Sequence, residues 1–298
     1  MKRNPVLIVF VTAAVLGVLF VVVVSLASFL SGNRWTSVPI TAGGGSVALI
    51  KVEGLLVSSE NIVDELNDYA EDGSIKAVVM RIDSPGGGVV PSQEIFNAVK
   101  HVKQEGKKVV VSMGSVAASG GYYIAAAADK VVANPGTLTG SIGVKMEFAN
   151  VEKLLEKIGV KGMVVKAGQY KDIGSPFRDM TEPEKKLLQD VIDDVHSQFI
   201  EAVSEGRGLP KNDVTAIADG RIFTGRQALS LKLVDQLGDL EDSIRLAGVL
   251  AGIKGKPKVV EKKKKISFLD FLKEESATWI SEVLANAVNR NTISLQYR

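Results

Sequence analysis

The run Ala77-Val78-Val79-Met80-Arg81-Ile82-Asp83-Ser84-Pro85-Gly86-Gly87-Gly88 decides how this chain folds. Its first six residues are apolar except for Arg81, the pattern of a strand buried on both faces. The glycines that follow form a turn whose backbone N–H groups no side chain covers. Downstream, Ser92–Lys103 sets Ile95, Phe96, Val99 and Val102 at helical spacing, and Lys108–Met113 is a second apolar strand. Ser119–Ala128 reads as a helix of small residues and Val131–Ala133 as a short strand. Upstream, Val47–Val52 is a strand and Ser59–Ala70 a helix with Ile62, Val63, Leu66 and Tyr69 on one face. This alternation predicts βαβ units and an α/β fold with a parallel sheet. Thr181-Glu182-Pro183-Glu184 is a capping box with an early proline, opening a long helix to about Gly206. Gly208-Leu209-Pro210 ends it, and shorter helices follow near 211–218 and 225–231. No internal repeat is visible, so one copy of the unit is expected.

Across 298 residues, 46% are hydrophobic and 23% charged, the balance of a globular protein. Charge is unevenly placed. Residues 1–45 hold Lys2, Arg3 and Arg34 and no acid, and residues 254–298 hold ten basic and five acidic side chains. The middle is left with 23 basic and 29 acidic ones, a poor surface for a phosphate backbone, which argues against nucleic acid as a partner. The absence of Cys removes disulfides, thiol catalysis and cysteine metal sites. Two His, His101 and His196, argue against a multi-histidine metal centre. No metal and no organic cofactor is implied.

Val6 to Leu30 is 25 residues without a charge. As a helix it spans about 37 Å, enough for a ~30 Å hydrocarbon layer. Ser25-Leu26-Ala27 offers a small-x-small cleavage site, but the apolar stretch exceeds the core of a signal peptide, which favours an uncleaved anchor. Lys2 and Arg3 keep the N-terminus in the cytoplasm by the positive-inside rule, so the rest lies on the outer side of the cytoplasmic membrane. The expected division is 1–30 cytoplasmic N-terminus and anchor, 31–46 flexible linker, 47–253 the main domain and 254–298 a basic, amphipathic segment. Within the last, Phe268, Leu269, Phe271, Leu272, Trp279, Ile280, Val283 and Leu284 suggest a helix over 266–288, packed on protein or lying on an anionic membrane.

The residues able to do chemistry cluster where strands hand over to helices. In Gly114-Ser115-Val116-Ala117-Ala118-Ser119-Gly120-Gly121-Tyr122-Tyr123, Ser119 sits at a helix N-terminus, where backbone donors and the dipole favour an oxyanion. An ordinary N-cap serine looks the same. A nucleophilic serine needs a base. His101 lies beside Lys100 and Lys103, and His196 follows Asp193 and Asp194; both read as surface positions. Among the lysines, Lys171 stands out in Ala167-Gly168-Gln169-Tyr170-Lys171-Asp172-Ile173-Gly174-Ser175-Pro176, a loop bounded by Gly and Pro. Composition alone does not single it out.

Taken together these pieces resemble the signal peptide peptidase A family, membrane-anchored serine-lysine proteases. The resemblance is carried by Asp83–Gly88, Gly114–Tyr123, Thr139-Gly140-Ser141-Ile142-Gly143-Val144, Tyr170–Pro176, and Asp219-Gly220-Arg221-Ile222-Phe223-Thr224-Gly225-Arg226-Gln227-Ala228 leading to Leu233-Val234-Asp235. It covers about residues 47–240 in the family's order, in the half-length form. It implies the Clp-protease/crotonase-like fold, a repeated ββα superhelix. It also implies Ser119 as nucleophile, Lys171 as general base 52 positions later, Ser141 orienting the lysine, and the N–H groups of Gly87 and Gly120 as the oxyanion hole. The implied substrates are peptides, remnants of signal peptides, and the implied assembly is a ring-like homo-oligomer, of eight in the half-length form. The apolar stripe Leu187, Leu188, Val191, Ile192, Val195, Phe199 and Ile200 is broad enough to meet a neighbour as well as the chain's own sheet.

A lysine base carries a physical requirement. Free Lys titrates near 10.4, so burial must lower it to about 7–8. Lys171 is therefore expected to be shielded from water, with the Asp172 carboxylate pointing away from it. Two rivals remain at this stage: a crotonase-type acyl-coenzyme A enzyme, which does not need Ser119 and Lys171, and a catalytically idle membrane scaffold of the same fold.

Overall fold

The computed structural model describes residues 45–262. The anchor expected at Val6–Leu30, nearly all of the linker and the helix expected at 266–288 lie outside the described residues. Among the described residues, no helix is long and apolar enough to cross a membrane.

β1 (Ser46–Leu56), α1 (Glu60–Glu71), β2 (Ile75–Gly87), α2 (Val89–Gln104), β3 (Lys108–Ala118) and α3 (Gly120–Ala126) alternate as the apolar runs predict. The strands reach further than their apolar cores because parallel pairing carries them on: β1 pairs with β2 from Ser46↔Ile75 to Leu56↔Gly87, and β2 with β3 from Ala77↔Lys108 to Ser84↔Ala117. Successive side chains point to opposite faces of a strand. Ile50, Val52, Val78, Met80, Ile82, Val109 and Val111 accordingly join one core with α1, α2 and α3. Val47, Leu49, Ala77, Val79 and Val110 join a second core beneath α8 (Leu240–Leu250), through Ile244 and Ala247. Helices on both faces explain why these strands read as unbroken apolar runs.

β3 forks. Val110–Ser112 pairs with β4 (Lys130–Ala133) and Val116–Ala118 with β5 (Leu138–Gly140), both parallel. β6 (Ile222–Thr224) joins β5 antiparallel, and β7 (Gln236–Leu237) joins β4. The C-terminal end of β3 is thus led away from β4 toward β5, and Ser119 and Ser141 follow the last residues of these two paired strands. β8 (Lys258–Glu261) pairs parallel with β1 from Ser46↔Lys258 to Leu49↔Glu261, so the sheet takes in residues beyond 253.

The chain between β5 and β6 holds α4 (Glu152–Lys157), α5 (Glu182–Arg207) and α6 (Lys211–Thr215); α7 (Gly225–Ser230) follows β6. α5 opens on the expected capping box, with Thr181 N–H donating to Glu184 Oε2 at 2.9 Å, and stops at Gly208 in the left-handed conformation, φ +61°. Only the later half of its apolar stripe is covered: Phe199 and Ile200 are buried, whereas Leu187 and Val191 are exposed. Residues 144–177 leave even more apolar surface open, including Phe148, Leu154, Ile158, Met163, Val164 and Val165.

Candidate active site

β3 passes straight into α3 through Ser119, which takes φ +52° and ψ −122° as the N-cap. A positive φ is uncommon for a residue with a side chain and persists only where the surroundings over-determine it. Here they do. Ser119 N–H donates to the Gly140 carbonyl at 2.9 Å, and the Ser119 carbonyl accepts from Tyr123 N–H at 2.8 Å. Ser141 repeats the arrangement, with φ +52° and its N–H on the Arg221 carbonyl at 2.8 Å. The register Ala118↔Gly140 therefore sets two conformationally strained, half-buried serines at the ends of neighbouring strands. Thr139 Oγ1 fastens the two strands just before them, donating to the Ala117 carbonyl at 2.6 Å.

The glycine run expected as a turn is instead the end of β2, carried on by its pairing with β1, and it is drawn onto the same point. Ser84 is buried; its Oγ donates to the Gly54 carbonyl at 2.6 Å and accepts from Gly86 N–H at 3.1 Å. Asp83 Oδ1 accepts from Val116 N–H at 3.0 Å, bridging the register shift between β2 and β3. Gly86 lies so close to Ser119 that an added Cβ would stand 2.7 Å from Gly120 N and 2.8 Å from Ser119 Cβ. At Gly120 an added Cβ would fall on Ser92 Oγ, itself held by the Gly88 carbonyl at 2.8 Å. Gly120 opens α3, so its N–H has no partner within the helix. Gly87, one residue past Gly86, is opposite Leu56, whose carbonyl accepts from Gly88 N–H at 2.8 Å. The glycine backbone at the end of β2 and the start of α3 thus meet beside Ser119 at the C-terminal ends of β2 and β3, where open α/β sheets place their ligands.

Lys171 is placed differently. It lies in a turn, with its N–H on the Gly168 carbonyl at 3.2 Å, and its side chain is exposed. No hydrogen bond joins Lys171 Nζ to Ser119 or Ser141 among the described residues, and these residues do not supply the shielding expected from the sequence. The reason is the outward-facing apolar surface of 144–177: the segment packs little of itself on the sheet. The expectation for Asp172 is met. Its carboxylate is held by Arg178 and Lys166, and these cations keep it well below the usual carboxylate range. His101 is exposed, and His196 is half-buried on α5.

Several supporting residues carry no motif that reasoning from residue types would select. Ser84, Ser92 and Thr139 are serines and threonines of ordinary appearance; only their buried hydroxyls, bonded to the Gly54, Gly88 and Ala117 carbonyls, reveal that they fix the backbone around Ser119. Tyr122 is fully buried, donates to the Leu233 carbonyl at 2.9 Å, and has its hydroxyl pushed up by desolvation. Asp235 accepts from Val131 N–H and Arg207, both at 2.8 Å, so Leu233 braces α3 while Asp235 ties β4 to α5. A cleft of about 720 Å³, lined by Arg81, Gly114, Ser115, Asn134 and Leu240 among others, opens beside α8; none of the five expected site residues lines it.

With this geometry in view, the comparisons with known proteins are specific. Residues 101–254 match Peptidase family S49, and residues 56–138 match the Clp protease family. A proposed protease of Synechocystis sp. is 47% identical over 208 residues, which cover 70% of this chain and 75% of that protein. A proposed signal peptide peptidase SppA of Enterococcus faecium is 34% identical, with 72% of this chain and 67% of its own length covered. The chloroplastic serine protease SPPA of Arabidopsis thaliana is 34% identical over 75% of this chain, which spans only 34% of that longer protein. The chain belongs to peptidase family S49 and is a protease of the signal peptide peptidase A family.

Proposed function

We propose that this protease is a serine endopeptidase working through a Ser119–Lys171 dyad. The observation that carries the reading is Ser119 itself, strained at the β3–α3 junction with the Gly86 backbone packed against it. In the proposed reaction neutral Lys171 takes the Ser119 proton as Oγ attacks the peptide carbonyl. The N–H groups of Gly87 and Gly120 receive the developing oxyanion. Protonated Lys171 then gives its proton to the leaving amine, and water, activated by the same lysine, releases the acyl group and restores Ser119. Ser141, next to Ser119 by strand register, orients the amine. Peptides bind as an added strand with alternate side chains in pockets.

The substrates proposed are remnant signal peptides and similar apolar peptides. The site of action is the outer side of the cytoplasmic membrane, with Val6–Leu30 as a single-pass anchor and the N-terminus inside. A homo-oligomer, an octameric ring, completes the reading. Lys171 is exposed in its own chain and the apolar residues around it are uncovered, so a neighbouring copy supplies the burial a lysine base needs.

Fluorophosphonate labelling and mutant kinetics test the dyad. Ser119→Ala should abolish labelling, and Ser119→Ala, Lys171→Ala and the double variant should lose activity to a similar extent, because residues acting as a unit are not additive. Losses that multiply in the double variant would mean independent action. An acyl-coenzyme A enzyme or an idle scaffold would leave Ser119 unlabelled.

A further inference from the structure

The residue that follows Lys171 is a carboxylate, and a carboxylate within about 4–6 Å of an amine favours its charged form. A lysine base beside Asp172 therefore depends on what that carboxylate does instead. Arg178 engages both of its oxygens. Its Nε donates to Asp172 Oδ2 at 2.9 Å, and its Nη2 to Oδ1 at 2.9 Å and to the Asp172 backbone carbonyl at 3.3 Å. The same guanidinium holds Glu184 of α5, Nη1 to Oε2 at 2.9 Å and Nη2 to Oε1 at 2.5 Å, and Nη1 also reaches the Asp179 carbonyl at 3.1 Å. Lys166 Nζ donates to Asp172 Oδ1 and to the Gln169 carbonyl, so two cations face two anions. Glu184 is buried and accepts from Thr181 N–H and Oγ1, both at 2.9 Å. Of the other charged groups nearby, Asp179 is bonded to Asn150 Nδ2 at 2.6 Å, and Glu182 pairs outward with Lys185 at 2.6 Å.

Both the backbone and the side chain of residue 172 are thus fixed by one planar fork, a geometry only arginine provides. We propose that Arg178 is a positioning residue for Lys171: it pins the lysine's loop to the first turn of α5 and keeps the Asp172 carboxylate away from the lysine amine. The proposal rests on Lys171 being the base.

The test is the pH–rate profile of the full chain on an apolar fluorogenic peptide. In Arg178→Gln the carboxylate keeps only the single, flexible Lys166 contact and can turn to Lys171, so the rising limb moves up by about one unit, giving a roughly tenfold loss below the limb and recovery at its plateau. Adding Asp172→Asn to the same chain returns the limb to its original place. Arg178→Lys, which keeps the charge but not the fork, gives a smaller shift that Asp172→Asn also cancels. A uniform loss at every pH with the limb unmoved, or a displaced limb that Asp172→Asn leaves displaced, overturns the proposal. Should thermal unfolding show that Arg178→Gln does not fold, Arg178→Lys with and without Asp172→Asn decides by the same criterion. Lys171→Ala that keeps activity would sink the dyad itself; an inactive Lys171→Ala with an unmoved limb sinks only the role of Arg178.

Discussion

Ser119 and Ser141 each hold a backbone conformation that costs about 1–3 kcal/mol, and each is kept there by hydrogen bonds from the neighbouring strand or loop. Strain of this kind leaves no slack around the nucleophile. Gly86 is where it can be tested without touching a proposed catalytic group. Its φ is +101°, and an alanine methyl would press on both Gly120 N and Ser119 Cβ. Gly86→Ala should lower kcat/KM at least about 100-fold, as small misplacements of reacting groups do. It should lower stability by only about 1–3 kcal/mol in urea unfolding. A variant with full activity would show that the approach of the two backbones is not needed. At this scale the sequence was readable where glycine was the signal, since DSPGGG and the GSVAASGG run announce backbone that must come close. Ser84, Ser92 and Thr139 were not readable, because a buried hydroxyl bonded to a carbonyl looks in sequence like any surface serine or threonine.

The elements read from sequence are those that bury an amphipathic or fully apolar face. β1 to β3 and α1 to α3 appear within a few residues of their expected places. β5, β6 and β7 have three, three and two residues, too short for any periodicity; β5 exists because the forked end of β3 offers it pairing, β6 because β5 does, and β7 because β4 does. β8 was hidden for a related reason: Lys258–Glu261 is mostly exposed, and only the free edge of β1 makes it a strand. The start of α5, by contrast, was legible in full, and it carries a pH prediction. Glu184 is lowered to about 2, chiefly by Arg178, and Asp172 is lowered as well. Carboxylates lowered in the folded state stabilise fully above their ordinary values near 4, and that contribution fades as the pH falls toward 2. Amide exchange in the first turn of α5, corrected for its intrinsic rate, should therefore hold steady from pH 7 to about 5 and rise below about 4. In Glu184→Gln the turn should already be loose at pH 7. Equal acid sensitivity in the variant and the parent would show that the Arg178 clamp does not secure this turn.

For the molecule as a whole, the sheet and its helices make a covered core, while residues 144–177 and the first half of α5 do not cover themselves. Met163 and Val165 are 93% and 102% exposed, and Tyr170 and Phe177, on either side of Lys171, are exposed as well. Apolar surface gathered in one stretch is the mark of an interface. In the proposed assembly, a second copy seated on this stretch would bury it and dry the lysine at the same time. A site completed in this way has a test that activity of the single chain does not supply. Ser119→Ala chains keep Lys171, and Lys171→Ala chains keep Ser119; each alone should be inactive. Co-expressed in equal amounts and assembled at random, they place an intact serine opposite an intact lysine at about a quarter of interfaces between successive copies. Recovery of roughly that fraction of parental activity, read alongside sedimentation to show that mixed assemblies formed, would mean that the dyad is built across the interface. Mixed assemblies with no recovered activity would mean that each chain completes its own dyad, leaving the neighbour to exclude water only. A chain from residue 46 onward that is a fully active monomer would remove the neighbour from the mechanism altogether.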